Sequence, residues 1–259
     1  MSPGLPPSLR AVVFDVGNTL HHLDHAFIAQ TITATGCPVT TRDVAVAEYD
    51  AKAAIDEMFR GRAAGQDETR RTSYFEIIME RLGVPRTDYD AILAALRADD
   101  ARRSLWRVMY AETPGVLAAL RQRGYTLAVV SNADGRVPAA LAACGIADHF
   151  AAIIDSHLVG VEKPNPRIFE LALSACGVEP SRAAYVGDIY EIDVRGARDA
   201  GLTPVLIDPL GLYGAVDCVR IRGLAELLDL LPARASGRGE EHPRKDRGGA
   251  TAGRPAKSE

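Results

Sequence analysis

Short apolar runs separated by amphipathic stretches set the pattern of this chain. Residues 10–14 read Arg-Ala-Val-Val-Phe and stop abruptly at Asp15. A run this short, β-branched and without a polar face predicts a parallel strand buried on both sides. The same pattern returns at 126–130, 151–154, 183–186 and 204–207. Helical periodicity fills the intervals 114–123, 136–144, 166–176 and 191–200. Thr113-Pro114 supplies a cap and a first-turn proline to the first of these, and Gly124, Gly145, Gly177 and Gly201 follow the four helices in turn. Strands alternating with helices of this length predict an α/β fold, a doubly wound parallel, Rossmann-like sheet.

Residues 22–110 break the rhythm. They hold no run that reads as a strand, and they read instead as amphipathic helices over 42–60, 73–82 and 88–109. The predicted organisation is a core of residues 1–21 and 111–232, a helical module of residues 22–110 inserted after the first strand, and a disordered tail over 233–259. That tail is polar and rich in Gly, Pro, Arg and Lys.

Bulk composition narrows the partners. The chain has 259 residues, 47% of them hydrophobic, enough for a sizeable core. Its net charge of -4 argues against a nucleic-acid binder. No stretch is apolar and long enough to span a bilayer, and the Pro-rich first residues lack the apolar run of a signal peptide. A cytoplasmic monomer or homodimer with no nucleic-acid or membrane partner is expected. Cys37, Cys144, Cys176 and Cys218 are far apart and lack metal-ligand spacing, so they are read as buried free thiols.

Ligands of a parallel α/β sheet bind at the carboxyl ends of its strands. The first strand delivers Asp15 in Phe14-Asp15-Val16-Gly17-Asn18-Thr19-Leu20. The second delivers Ser131-Asn132, and the fourth delivers Gly187-Asp188 with Asp193 on the following helix. Lys163, in Glu162-Lys163-Pro164-Asn165, precedes another helix. Each of these alone would pass as a turn, cap or solvated residue. Four polar groups at one sheet edge, in this order, do not.

The set closely resembles the haloacid dehalogenase superfamily, over about residues 10–231. The resemblance implies that Asp15 is the nucleophile and that Thr19 shapes its turn. It implies that Ser131, Asn132 and Lys163 bind the transferred group, with Lys163 also catalytic. Asp188 and Asp193, with Asp15 and the Gly17 carbonyl, would hold Mg²⁺, and the inserted helices would form a cap. Elementary chemistry agrees. A carboxylate attacking a phosphate must overcome repulsion between anions, and Mg²⁺, a lysine and a hydroxyl donor offset it. Attack would give an aspartyl-phosphate that water hydrolyses, with a small phosphorylated metabolite as substrate.

One position departs from that pattern. Phosphatases of the superfamily carry a second Asp two residues after the nucleophile as general acid and base. Here that residue is Gly17. General acid–base help is worth about 10² to 10⁴ in rate, so its loss favours good leaving groups or an acid borrowed from elsewhere. His21, His22 and His25 are the nearest candidates. In an extended segment His21 and His22 point to opposite sides, so at most one faces the site, and all three are read as exposed hinge residues. The alternatives are a dehalogenase-type or phosphonate-cleaving hydrolase, or a catalytically weakened binding protein. Lys52 is the single lysine of the module, and its sequence surroundings suggest no activated amine. Tyr74, Phe75 and Trp106 read as packing; Arg60, Arg62, Arg70 and Arg71 read as solvated.

Overall fold

The computed structural model describes residues 4–60, 67–211 and 213–234, with backbone alone at 59 and 67–72. The chain opens on strand β1 (Ala11–Phe14) and passes through β2 (His22–Leu23) into four helices. These are α1 (His25–Thr33), α2 (Thr41–Phe59), α3 (Asp67–Arg81) and α4 (Tyr89–Arg103), and β3 (Trp106–Val108) leads back out. Next come α5 (Thr113–Gln122), β4 (Thr126–Ser131), α6 (Val137–Ala143), β5 (Ala152–Asp155), the single turn α7 (Ser156–Val159) and α8 (Pro166–Cys176). Strand β6 (Ala183–Gly187) is followed by a π turn over Tyr190–Val194 that runs into α9 (Arg195–Asp199). Strands β7 (Thr203–Ile207) and β8 (Val219–Ile221) and the turn α10 (Leu227–Leu230) are the last elements among the described residues.

Six parallel strands form one sheet in the order β5-β4-β1-β6-β7-β8. The chain winds outward from β1 in one direction, returns beside β1 at β6 and winds outward in the other. The expected doubly wound α/β fold is therefore present, and its switch point lies between β1 and β6. Strand alternation explains why these segments are apolar throughout. Val12, Phe14, Leu127 and Val129 pack into the layer containing α5 and α6, while Ala11, Val13, Ala128 and Val130 pack against α8 and α9. In register, Phe14 lies between Val129 and Val186, which brings the ends of β1, β4 and β6 to one level.

Helices α1–α4 enclose a separate apolar cluster that includes Ile28, Ile32, Ile55, Ile78 and Leu96. Contrary to expectation, the segment between β1 and α5 is not purely helical. Strands β2 and β3 pair antiparallel and form the two passages into and out of the helices. Two- and three-residue strands are too short to leave a periodic signature. The helix expected over 88–109 stops at Arg103 because Ser104 turns to positive φ (54°) and the Asp100 side chain accepts from the Leu105 N–H. Asp99, fully buried, accepts from Arg102, Arg103 and Arg107, and Arg107 also reaches Asp24 before α1. These ion pairs fasten α4 to both connecting strands. The edge strand β8 also escaped the pattern, having three residues that alternate buried and exposed.

The cysteines are free, but only Cys218 is buried; Cys37, Cys144 and Cys176 are partly exposed. Beyond Arg234 the expected polar tail lies outside the described residues. No helix among the described residues is long and apolar enough to cross a membrane.

Phe169 of α8 is fully buried and meets Tyr185 of β6 edge-on, with ring centroids 5.0 Å apart. Phe169→Ala should lower stability by about 3–5 kcal/mol, read as a lower urea midpoint with an unchanged m value.

Candidate active site

The turn after β1 is wound tightly around one carbonyl. Val16 accepts from the N–H groups of Thr19, Leu20 and His21 at 3.2, 2.9 and 2.8 Å, and Asn18 donates its N–H to the His21 carbonyl at 2.6 Å. Asn18 takes positive φ (54°), a conformation that asparagine tolerates better than most residues. Thr19 belongs to this turn through its backbone, while its buried hydroxyl has no hydrogen-bond partner among the described residues. Asp15 is held at the sheet edge by its own N–H, which donates to Val186 at 2.8 Å.

Lys163 is the hub of the site. Its Nζ donates to Asp15 Oδ1 at 2.7 Å, to Asp193 Oδ1 at 2.7 Å and to the Tyr185 hydroxyl at 2.8 Å, all in a buried environment. Burial opposes the charge on Lys163, but Asp15 and Asp193 outweigh it and hold the amine well above the usual lysine range. The backbone of Lys163 is clamped as firmly. Asn132 accepts the Lys163 N–H at 2.7 Å and donates to its carbonyl at 3.0 Å. The amide of Asn132 thus positions Lys163, and Asn132 also lines the cavity. Ser131 ends β4, is buried, and lines the same cavity.

The acidic residues divide their tasks. Asp193 gives Oδ1 to Lys163 and Tyr185, and its Oδ2 accepts the N–H groups of Asp188 and Ile189 at 3.0 Å each. Asp15 meets Lys163 through Oδ1, and Asp188 lies within reach of the module. Carboxylate oxygens of Asp15, Asp188 and Asp193 come within 4.8 Å of one another. Burial pushes Asp15 up to about 7, against the pull of Lys163 and with the repulsion of Asp193 and Asp188. Burial likewise raises Asp188, against the pull of a second lysine.

That second lysine is Lys52 of α2, whose Nζ lies 2.9 Å from Asp188 Oδ2. Burial disfavours its charge, yet Asp188 and Glu48 hold it above the usual range, so Lys52 is an ammonium and not an activated amine. The sequence reading missed this pairing. The signal that could have found it is the spacing Glu48, Lys52, Asp56, three charges one helical turn apart on one face.

Trp106 and Tyr74 pack with the apolar cluster of the helical module, as expected, and they do more than pack. Both line a cavity of about 200 Å³ that opens onto Asp15, Ser131, Lys163 and Asp188. Trp106 belongs to β3 rather than to a helix, and its indole passes close to Gly17. A Cβ built there would meet indole atoms at 3.6 Å. Tyr74 donates to Glu48 at 2.7 Å, and Asn18 donates to Tyr74 at 3.4 Å. Phe75 remains a packing residue, tilted against Trp106. Of the arginines, Arg60 is exposed and pairs with Glu57, Arg62 lies outside the described residues, and at Arg70 and Arg71 the backbone alone is described. Arg136 lines the cavity and bridges Asp134 of the core to Asp100 of α4.

The histidines are not exposed hinge residues. His21 and His22 are buried, and His25 pairs with buried Glu48. The expected division of the first two holds: His21 lines the cavity, while His22 stacks on Tyr110 with centroids 3.9 Å apart. Burial lowers His21, partly offset by a hydrogen bond to the Trp106 backbone, and its Nε2 has no hydrogen-bond partner among the described residues. Burial, reinforced by the charge of Lys52, pushes His22 down to about 4.

Two tests follow from this geometry. The neutral His22 ring stabilises the fold fully above about 6.5, its ordinary value, and that contribution is lost as pH falls towards about 4. His22→Phe, which keeps the stack, should flatten the dependence of melting temperature on pH across that interval; an unchanged slope would contradict the assignment. Gly187 ends β6 where a Cβ would lie 2.4 Å from Asp193 Cγ. Gly187→Ala should displace Asp193, and Lys163 with it, lowering kcat on the order of 10²-fold in steady-state assays.

The same order of strand-end groups is found in known proteins. The family model described as haloacid dehalogenase-like hydrolase matches residues 9–201. The bovine (Bos taurus) haloacid dehalogenase-like hydrolase domain-containing protein 3 is 32% identical over 235 residues, covering 87% of this chain and 93% of that protein. A phosphoserine phosphatase of Thermus thermophilus is 44% identical over 101 residues, 39% of this chain and 41% of the relative. A glyceraldehyde 3-phosphate phosphatase of Methanopyrus kandleri is 29% identical over 202 residues, 77% and 84% of the two chains. Two solved structures share the fold. The HAD-hydrolase YfnB of Bacillus subtilis, bound to magnesium, superposes with a TM-score of 0.63 at 18% identity over 86% of this chain and 98% of its own. A dehalogenase does so with a TM-score of 0.60 at 22% identity, over 89% and 100%. With its six-stranded sheet, its strand-end acids and these matches over most of its length, the chain belongs to the haloacid dehalogenase-like hydrolase family and is a hydrolase.

Proposed function

We propose that this hydrolase is a Mg²⁺-dependent phosphatase that cleaves small phosphate monoesters through an aspartyl-phosphate at Asp15. The observation that carries the reading is the buried Lys163 bridge between Asp15 and Asp193, beside Asp188. The donor set there is all oxygen, which suits a hard divalent cation such as Mg²⁺. Asp15, Asp188 and the Gly17 carbonyl would hold it, with Asp193 supporting the loop and Lys163. When bound, Mg²⁺ supplies positive charge that offsets repulsion between the carboxylate and the phosphoryl oxygens.

The chain's own residues account for the rest. Lys163 holds Asp15 in place and faces the transferred group with a fixed positive charge, and Ser131 offers a hydroxyl donor. An oxygen of Asp15 bonds to phosphorus as the ester P–O bond breaks, and the leaving group departs with the bonding electron pair. Water then attacks phosphorus, the bond to Asp15 breaks, and phosphate leaves with a proton released to solvent or a nearby base. Gly17 offers no side chain for either proton transfer. The reading therefore favours phenolic or acyl phosphates over alkyl ones, and the walls of the cavity, Trp106, Tyr74, Ile55 and Val137 among them, suit an apolar leaving group.

Dehalogenation needs neither the acid pair nor a metal, so the retained Asp188 and Asp193 favour the phosphatase. Phosphonate cleavage through a Schiff base needs a free amine, whereas Lys52 is tied to Asp188. The names of the Thermus and Methanopyrus relatives point the same way. Monomer or homodimer, the protein would work in the cytoplasm on a phosphorylated metabolite, with the helical module as the cap that sets substrate choice.

Purified protein should hydrolyse p-nitrophenyl phosphate with Mg²⁺ and lose activity with EDTA or in Asp15→Asn. Absence of turnover with every divalent metal would favour a binding protein. Contact at 3.6 Å leaves room for a Cβ at Gly17. Gly17→Asp should then raise kcat/KM for alkyl phosphates by about 10²-fold or more and for aryl phosphates much less. Equal gains on both would count against the missing-acid argument.

A further inference from the structure

Helix α2 lays three buried charges across the mouth of the sheet, Glu48, Lys52 and Asp56, each one turn from the next. Glu48 stays within the module, bonded to Tyr74 and His25. Asp56 reaches the core and accepts the N–H groups of Tyr190 and Glu191 at 3.0 and 2.7 Å. Between them, Lys52 sends its ammonium to Asp188, 2.9 Å from Oδ2, with the Tyr49 ring 4.4 Å away. Two cations thus divide the acids of the site. Lys163 takes Asp15 and Asp193, and Lys52 takes Asp188.

Lys52 meets the site at Asp188 Oδ2, from helix α2 of the module. It therefore acts on the site through Asp188 rather than on a substrate. An ammonium this close to a carboxylate oxygen lowers the electron density and charge that the carboxylate offers to any other cation. The same contact joins the module to the core, since Lys52 moves with α2 and Asp188 with the loop after β6.

We propose that Lys52 is a positioning residue that contends with the divalent cation for Asp188, so that metal binding and the seating of helix α2 on the core oppose each other. The inference rests on the reading of Asp188 as a metal ligand. Coupling of this kind is reciprocal: whatever Lys52 takes from metal affinity, the metal takes from the α2–core contact.

Isothermal titration of Mg²⁺ into the full chain tests this without any substrate. Lys52→Met removes the competing charge and should tighten Mg²⁺ binding by about 5- to 150-fold, the usual span of such couplings. Lys52→Arg keeps the charge and should stay near the wild type. Unchanged or weaker binding in Lys52→Met would overturn the inference while leaving the metal reading intact. No Mg²⁺ binding by the wild type or any variant would overturn the metal reading, and the inference with it. If Lys52→Met fails to fold, hydrogen exchange in the wild type decides. Saturating Mg²⁺ should speed exchange at the Tyr190 and Glu191 amides held by Asp56, and unchanged or slower exchange would overturn the proposal.

Discussion

The arrangement depends on holding like charges together. Three carboxylates share a small buried space at the mouth of the sheet, and without compensation they would repel one another and draw protons. Lys163 makes the cluster tenable by bridging Asp15 and Asp193, with the Tyr185 hydroxyl as its third partner. Such a buried bridge is maintained by geometry as much as by attraction, because desolvation offsets much of the Coulombic gain. The surrounding fold supplies that geometry. Asn132 clamps the backbone of Lys163 from β4, and Asp193 is itself fixed by the N–H groups of Asp188 and Ile189.

Close packing beneath the bridge serves the same end. Phe169 supports Tyr185, and Gly196 allows α9 to approach Pro164, where a Cβ would come within 3.0 Å of the proline ring. Gly187 is similarly confined by Asp193. The acids and the lysine are thus set by backbone approach from three strands, so small changes in packing should be felt as changes in chemistry.

The helical module adds a second layer of contacts to the site. Lys52 and Asp56 meet the loop after β6, Arg136 and Asp100 meet on the other side of the cavity, and Asn18 touches Tyr74. Trp106, on the strand leading out of the module, stands beside Gly17. At that point the cavity wall is a backbone and an indole.

Much of this was legible in the sequence, for a physical reason. A parallel sheet delivers the ends of its strands to one edge, so a polar residue that stops an apolar run is already placed. That logic located Asp15, Ser131, Asn132 and Asp188, and the resemblance to the superfamily's motifs added Lys163 and Asp193. It also yielded the fold class, because strands buried on both faces must be apolar throughout. The tertiary structure alone decided what crosses between elements without any local pattern. The two-strand connection of β2 and β3 is too short to be periodic. Buried His21 and His22 look like surface residues in a polar stretch, and Trp106 resembles a continuation of α4. Lys52 reads as an ordinary helix lysine until folding sets α2 against the loop after β6. Local order of apolar and polar residues determines elements and their ends; which distant side chains share a desolvated space is decided by how those elements pack.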